Sequence, residues 1–104
     1  MSKKVKKVIE DLGWSFNSNT SITIHTNTAG QDVCIGCDKG ESLKETIKFR
    51  YENYDVDQEV SLFLEGKKHG LKGVPEPTIL VKDCEEVLSK LKELWFAVKD
   101  LPNF

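Results

Sequence analysis

Trp14-Ser-Phe-Asn-Ser-Asn-Thr-Ser-Ile-Thr-Ile-His-Thr26 decides the fold, because the apolar period changes inside it. Trp14 and Phe16 alternate with Ser15 and Asn17, and Ile22 and Ile24 alternate with Ser21, Thr23 and His25. Alternation of this kind marks strands with one buried face. Asn17-Ser-Asn-Thr20 between the two runs is turn chemistry, and Thr26-Asn-Thr-Ala-Gly30 is a second turn. Val33, Ile35 and Cys37 then alternate with Cys34, Gly36 and Asp38, which predicts a third strand. The reading is a three-stranded antiparallel sheet over about residues 13–38.

Helical spacing flanks this region on both sides. Val5, Val8, Ile9 and Leu12 predict a short amphipathic helix over 2–12, with lysines on its other face and Gly13 as its stop. Beyond Asp38-Lys-Gly40, Ser42-Leu-Lys-Glu45 has the capping-box pattern, followed by a stripe of Leu43, Ile47, Tyr51 and Tyr54. Asp55 with Gln58 predicts a second cap, and Val56, Val60, Phe63 and Leu64 supply the next apolar face. Gly66 to Gly70, with Lys67, Lys68 and His69, predicts the end of that helix. Pro77 predicts a short helix through Leu80 or Val81. Asp83 with Glu86 predicts a fresh cap before a final helix carrying Val87, Leu88, Leu91, Leu94, Trp95 and Val98. The whole reads as α+β: a short helix, a small antiparallel sheet, and about three C-terminal helices covering it.

Composition limits the remaining choices. The chain has 104 residues, enough for a single domain over 1–104. With 38% hydrophobic and 31% charged residues it is too apolar for a disordered chain. No apolar run approaches the roughly 18–20 residues that span a bilayer. The basic start Met1-Ser-Lys-Lys-Val-Lys-Lys7 leads into Val8-Ile9-Glu10-Asp11, not an apolar segment, so no secretory signal and a cytoplasmic location are expected. The net charge of −2 does not favour unspecific binding to nucleic acid or anionic membrane. That charge is unevenly spread: residues 1–50 carry eight basic and six acidic side chains, residues 51–104 seven and eleven. Glu52, Asp55, Asp57, Glu59 and Glu65 gather around the junction of the two middle helices.

Candidate chemistry is sparse. Cys34-Ile-Gly-Cys37 has C-x-x-C spacing, but a zinc site needs four ligands, and Cys84, His25 and His69 are distant and unpaired. A zinc-stabilised interaction domain stands as an alternative, beside the plainer reading of small apolar residues in a sheet. Counting an EF-hand loop from Asp55 puts Val60 where Gly is needed and Gly66 where Glu is needed, so the acids read as a helix cap. No Walker A, dinucleotide, zinc-protease or nucleophile-elbow motif occurs. The expectation is therefore a protein without enzymatic activity and without a cofactor. Lys3, Lys4, Lys6 and Lys7 offer a second alternative, a small nucleic-acid-binding or regulatory protein. Leu94, Trp95, Phe96 and Phe104 make an apolar surface that a homodimer would use, although core is the commoner fate of such residues.

Thr28-Ala-Gly-Gln-Asp-Val33, Tyr51-Glu-Asn-Tyr-Asp-Val-Asp-Gln-Glu-Val60, Gly73-Val-Pro75 and the terminal amphipathic helix together resemble a family of small proteins. Its members occur in phages, plasmids and integrative elements of Gram-positive bacteria. Their pattern reads S-P-A-G-Q-D-F, F-D-x-D-E-H-V and G-V-P. Thr28 stands where that pattern has Pro, and Gln58-Glu59 where it has Glu-His. The resemblance implies a mobile-element accessory protein in the cytoplasm of a bacterial host. Accessory proteins of this kind often act as anti-CRISPR or anti-restriction proteins, binding a nuclease complex and blocking it without chemistry. The expected partner is then a host protein or ribonucleoprotein nuclease, Cas9-type or restriction enzyme. Glu52, Asp55, Asp57 and Glu59 would meet its basic surface, with Tyr54 as an aromatic anchor.

Overall fold

Ile22, Ile24, Val33 and Ile35 are buried on one face of the sheet, while Ser21, Thr23, Cys34 and Asp32 alternate with them on the other. The computed structural model describes residues 3–26, 32–74 and 76–104. Three strands, β1 (Ser15–Ser18), β2 (Ser21–His25) and β3 (Asp32–Gly36), form an antiparallel sheet in the order β1-β2-β3. The pairing sets Thr23 against Cys34, Ile24 against Val33 and His25 against Asp32. The expected α+β architecture and the three-stranded antiparallel sheet are both present. The expected turn at 26–30 beyond Thr26, the Thr28–Gln31 part of the quoted motif and Pro75 lie outside the described residues.

Helix α1 (Lys3–Asp11) precedes the sheet, and α2 (Leu43–Glu52), α3 (Val56–Lys68) and α4 (Pro77–Val98) follow it. Val5 and Ile9 from α1, Leu43 and Ile47 from α2, and Val87, Leu91, Leu94 and Val98 from α4 join the sheet's apolar face in one core. Each such aliphatic side chain contributes about 1.5–3 kcal/mol through burial. Gly13 ends α1 with φ 94°: its N–H bonds the Glu10 carbonyl, and the Trp14 N–H bonds that of Ile9. The turn drops Trp14 into the core, just ahead of β1.

The two caps read at the starts of α2 and α3 are formed. Ser42 Oγ accepts from the Glu45 N–H at 3.2 Å, and Asp55 Oδ1 accepts from the Gln58 N–H at 3.1 Å. The end of the chain fastens the first of them. Ser42 Oγ donates to Phe104 O at 2.9 Å, and the Lys44 N–H donates to the same oxygen at 3.1 Å.

One expectation is overturned. The short helix from Pro77 to Leu80 or Val81 and the separate helix capped by Asp83 are a single helix of 22 residues, Pro77–Val98. Asp83 lies inside it and is fully buried, accepting from Thr26 Oγ1 at 2.9 Å. The carboxylate bonds a residue 57 positions away, and the helix runs through it without interruption. The third strand is also shorter than read: it ends at Gly36, and Cys37 follows it.

Candidate functional site

The acidic junction is built by two helix ends meeting across Asn53, Tyr54 and Asp55. Asn53 closes α2, its N–H and Nδ2 both donating to the Phe49 carbonyl. Asp55 opens α3 in an extended conformation, with Asp57 and Glu59 in the first turn, where the helix dipole favours carboxylates. Glu52 and Asp57 are exposed, and Glu52 lies 4.0 Å from Lys48. None of the ion pairs among the described residues involves Asp55, Asp57 or Glu59. Glu65 stands further along α3 and pairs with His69 at 2.8 Å.

Two adjoining hollows of about 220 and 160 Å³ open beside this junction, sharing Arg50, Tyr54 and Glu59 as walls. The first is completed by Phe49 and Asn53, the second by Asp32, Val33, Cys34, Phe63 and Val87. Glu59 is therefore the acid of the set that faces the hollows. At about 100° per residue, Asp57 projects from roughly the opposite side of α3 and adds to the local field, not to the walls.

Tyr54 is half-buried and packs against the core. Burial first, then its hydrogen bond to the Cys84 thiol and the nearby Glu59 and Asp83, push its hydroxyl well above the usual phenol range. Its polar end is thus committed inward, leaving part of the ring to the hollows. Phe49, 63% exposed on the wall of the first hollow, is the aromatic residue the site presents to solvent. Sequence reasoning did not single it out. Its signal was its position off the stripe of Leu43, Ile47 and Tyr51 on the same helix. Arg50 was missed for the same reason. It reaches over from α2 and donates through Nη1 to the Cys34 carbonyl at 3.3 Å.

The cysteines are free thiols. Cys34 Sγ lies 3.5 Å from Ser21 Oγ on the open face of the sheet, while Cys37 Sγ points to the Glu41 carbonyl at 3.7 Å. Desolvation, followed by Glu41 and Asp38, raises the Cys37 thiol above its ordinary range, and burial raises Cys84 against the opposing hydrogen bond from Tyr54. Raised thiols stay protonated and are poor nucleophiles and poor metal ligands at neutral pH. Among the described residues no three His, Cys, Asp or Glu side chains are grouped as a metal site.

The other expected surfaces are also located. Lys3, Lys4, Lys6 and Lys7 are exposed along α1, with the Lys6 ammonium 5.8 Å from the Phe16 ring centre. Leu94 is core, Trp95 and Phe104 are half-buried against it, and Phe96 is 49% exposed between the Tyr51 ring and the Lys99 ammonium. No helix among the described residues is long and apolar enough to cross a membrane. No protein-family model, no curated protein and no solved structure matches the chain.

Proposed function

We propose that the chain is a non-enzymatic binding protein that inhibits a nucleic-acid-handling partner by occupying its basic surface. The observation that carries this reading is one arrangement at the α2–α3 junction. Glu59, which makes no ion pair among the described residues, shares the wall of a hollow with the exposed ring of Phe49, while Asp55 and Asp57, equally unpaired, stand on the same helix start. Exposed carboxylates steer the encounter with a basic groove, and a large ring beside a hollow supplies the anchor that interfaces concentrate their energy on. The resemblance to mobile-element accessory proteins supports a bacterial defence nuclease, Cas9-type or restriction enzyme, as the partner, met in the cytoplasm of the host.

The test is a cleavage assay over a panel of such nucleases, with the purified chain added before the substrate. One member of the panel is expected to lose cleavage in a dose-dependent way. A panel left fully active by excess protein would reject the inhibitor reading.

A further inference from the structure

The sheet has an open edge beside the second hollow. β3 is an outer strand. The Cys37 N–H donates to the Thr20 carbonyl at 2.9 Å, which makes that pair hydrogen-bonded. Hydrogen-bonded and non-hydrogen-bonded pairs alternate along an antiparallel ladder. Ile22 with Ile35 and Ile24 with Val33 are then the bonded pairs, and Thr23 with Cys34 and His25 with Asp32 are the others. The main-chain N–H and C=O groups of Asp32, Cys34 and Gly36 consequently point away from β2. Two contacts agree with this phase. Arg50 reaches the Cys34 carbonyl from outside the sheet, and His25 Nδ1 meets Asp32 Oδ1 at 2.6 Å, across the closer type of pair.

Proteins usually blunt such an edge. Among the described residues, one half-exposed side chain, Arg50, covers one carbonyl of this edge with one bond. Next to it lies the hollow of about 160 Å³ that has Asp32, Val33 and Cys34 on one side and Tyr54, Glu59, Phe63 and Val87 among the residues opposite. We propose that β3 accepts an extended segment of a partner protein as a fourth strand, one in which basic and apolar residues alternate. Main-chain bonds to Asp32 and Cys34 would supply the affinity, the added strand displacing Arg50 from the Cys34 carbonyl. Its side chains must alternate as those of β3 do. Those on the helix side meet Phe63, Val87 and the Tyr54 ring, which favours apolar residues. Those on the other side lie next to Asp32. Among the described residues of its wall, the carboxylates of Asp32, which also meets His25, and Glu59 outnumber the one cation Arg50, so the hollow favours a basic occupant.

The proposal goes beyond the acidic-surface reading, because strand addition needs main-chain pairing whatever the identity of the partner. The probe is the acetylated, amidated hexapeptide Lys-Val-Lys-Val-Lys-Val, added to the ¹⁵N-labelled full chain at low salt. Amide exchange at Asp32 and Cys34 is expected to slow by about fivefold or more as the edge becomes paired. Methylating alternate peptide nitrogens is decisive. One of the two alternate sets should weaken binding roughly tenfold and the other should be tolerated, since only one set faces β3. Arg50→Ala should bind the peptide more tightly than the parent chain. Equal binding of both methylated peptides, with shifts confined to Asp55, Asp57 and Glu59, would show charge attraction alone and overturn strand addition while leaving the acidic-surface reading intact. Absence of peptide binding, or dimerisation of Arg50→Ala through β3 instead of peptide binding, would also overturn it.

Discussion

Asp83 is a carboxylate buried from water on a helix that is otherwise half apolar at its core face, and its hydroxyl donor Thr26 is equally buried. A buried hydrogen bond to a charged or polar acceptor is costly to break because the surviving group stays desolvated. Thr26→Val, which keeps the shape and removes the donor, is expected to lower stability by about 1–3 kcal/mol. A urea midpoint unchanged from the parent would contradict that role. Nothing near Asp83 in sequence announces this bond. Asp followed three residues later by Glu is a cap signature, and the bond from the distant Thr26 makes Asp83 a core contact. Tyr54 was legible as the last apolar residue of the stripe begun by Leu43, although α2 ends at Glu52 and Tyr54 packs against the core from the connection beyond it. What the spacing could not show is the Cys84 thiol under its hydroxyl. Both groups hold their protons more tightly in the folded state than in the unfolded one, where they titrate near their ordinary 10.0 and 9.0. Their contribution is therefore complete below about pH 9 and is lost as pH rises beyond those values. The thermal midpoint should fall between about pH 8.5 and 10.5, and Tyr54→Phe with Cys84→Ala should flatten that fall. Equal slopes for parent and variant would refute the assignment.

Helix α3 shows how local chemistry alone can set an element's limits. Asp55 starts it, and Gly70, at φ 97°, stops it: the Gly70 N–H bonds the Lys67 carbonyl and the Leu71 N–H bonds that of Gly66. Asp55 and the run from Gly66 to Gly70 stood out in the sequence, because caps are written within a few positions of the helix end. The interior tells a different story. A methyl group placed on Gly66 would meet Leu71 Cδ2 at 3.2 Å, and Leu71 is 55% exposed and free to give way. Gly66→Ala should therefore raise stability by about 0.5–1 kcal/mol through helix propensity and a less flexible unfolded chain. Destabilisation by Gly66→Ala would mean that Leu71 is held in place. The long α4 was less legible than α3, since Pro77 and Asp83 each imitate a start within one unbroken helix.

At the scale of the molecule, the chain is drawn out to 43 × 24 × 22 Å, with a radius of gyration of 14.6 Å. A compact chain of this length has a radius of about 13 Å. The difference follows from α4. Its second half packs on the sheet, while its first half runs on and is covered by α3, which has no fully buried residue. Amide exchange in α3 should accordingly be at least about tenfold faster than in residues 87–98, because little apolar contact holds it down. Uniform protection across both would contradict that picture. The α+β layering was readable from where the period changed. The open edge of β3 was not, because strand order and ladder phase depend on pairing that no single strand encodes.

The acidic α2–α3 junction is the proposed contact surface, and its most direct test compares the parent chain with the quadruple variant Glu52→Gln, Asp55→Asn, Asp57→Asn and Glu59→Gln. These changes keep shape and the Asp55 cap, since Asn caps as well as Asp does. Affinity for the nuclease found in the cleavage panel would be measured for both proteins at about 50 and 200 mM salt. The parent is predicted to bind at least about tenfold more tightly than the variant at low salt, with the gap narrowing at high salt as the charges are screened. Equal affinity of parent and variant at low salt would contradict the acidic surface as the site of contact.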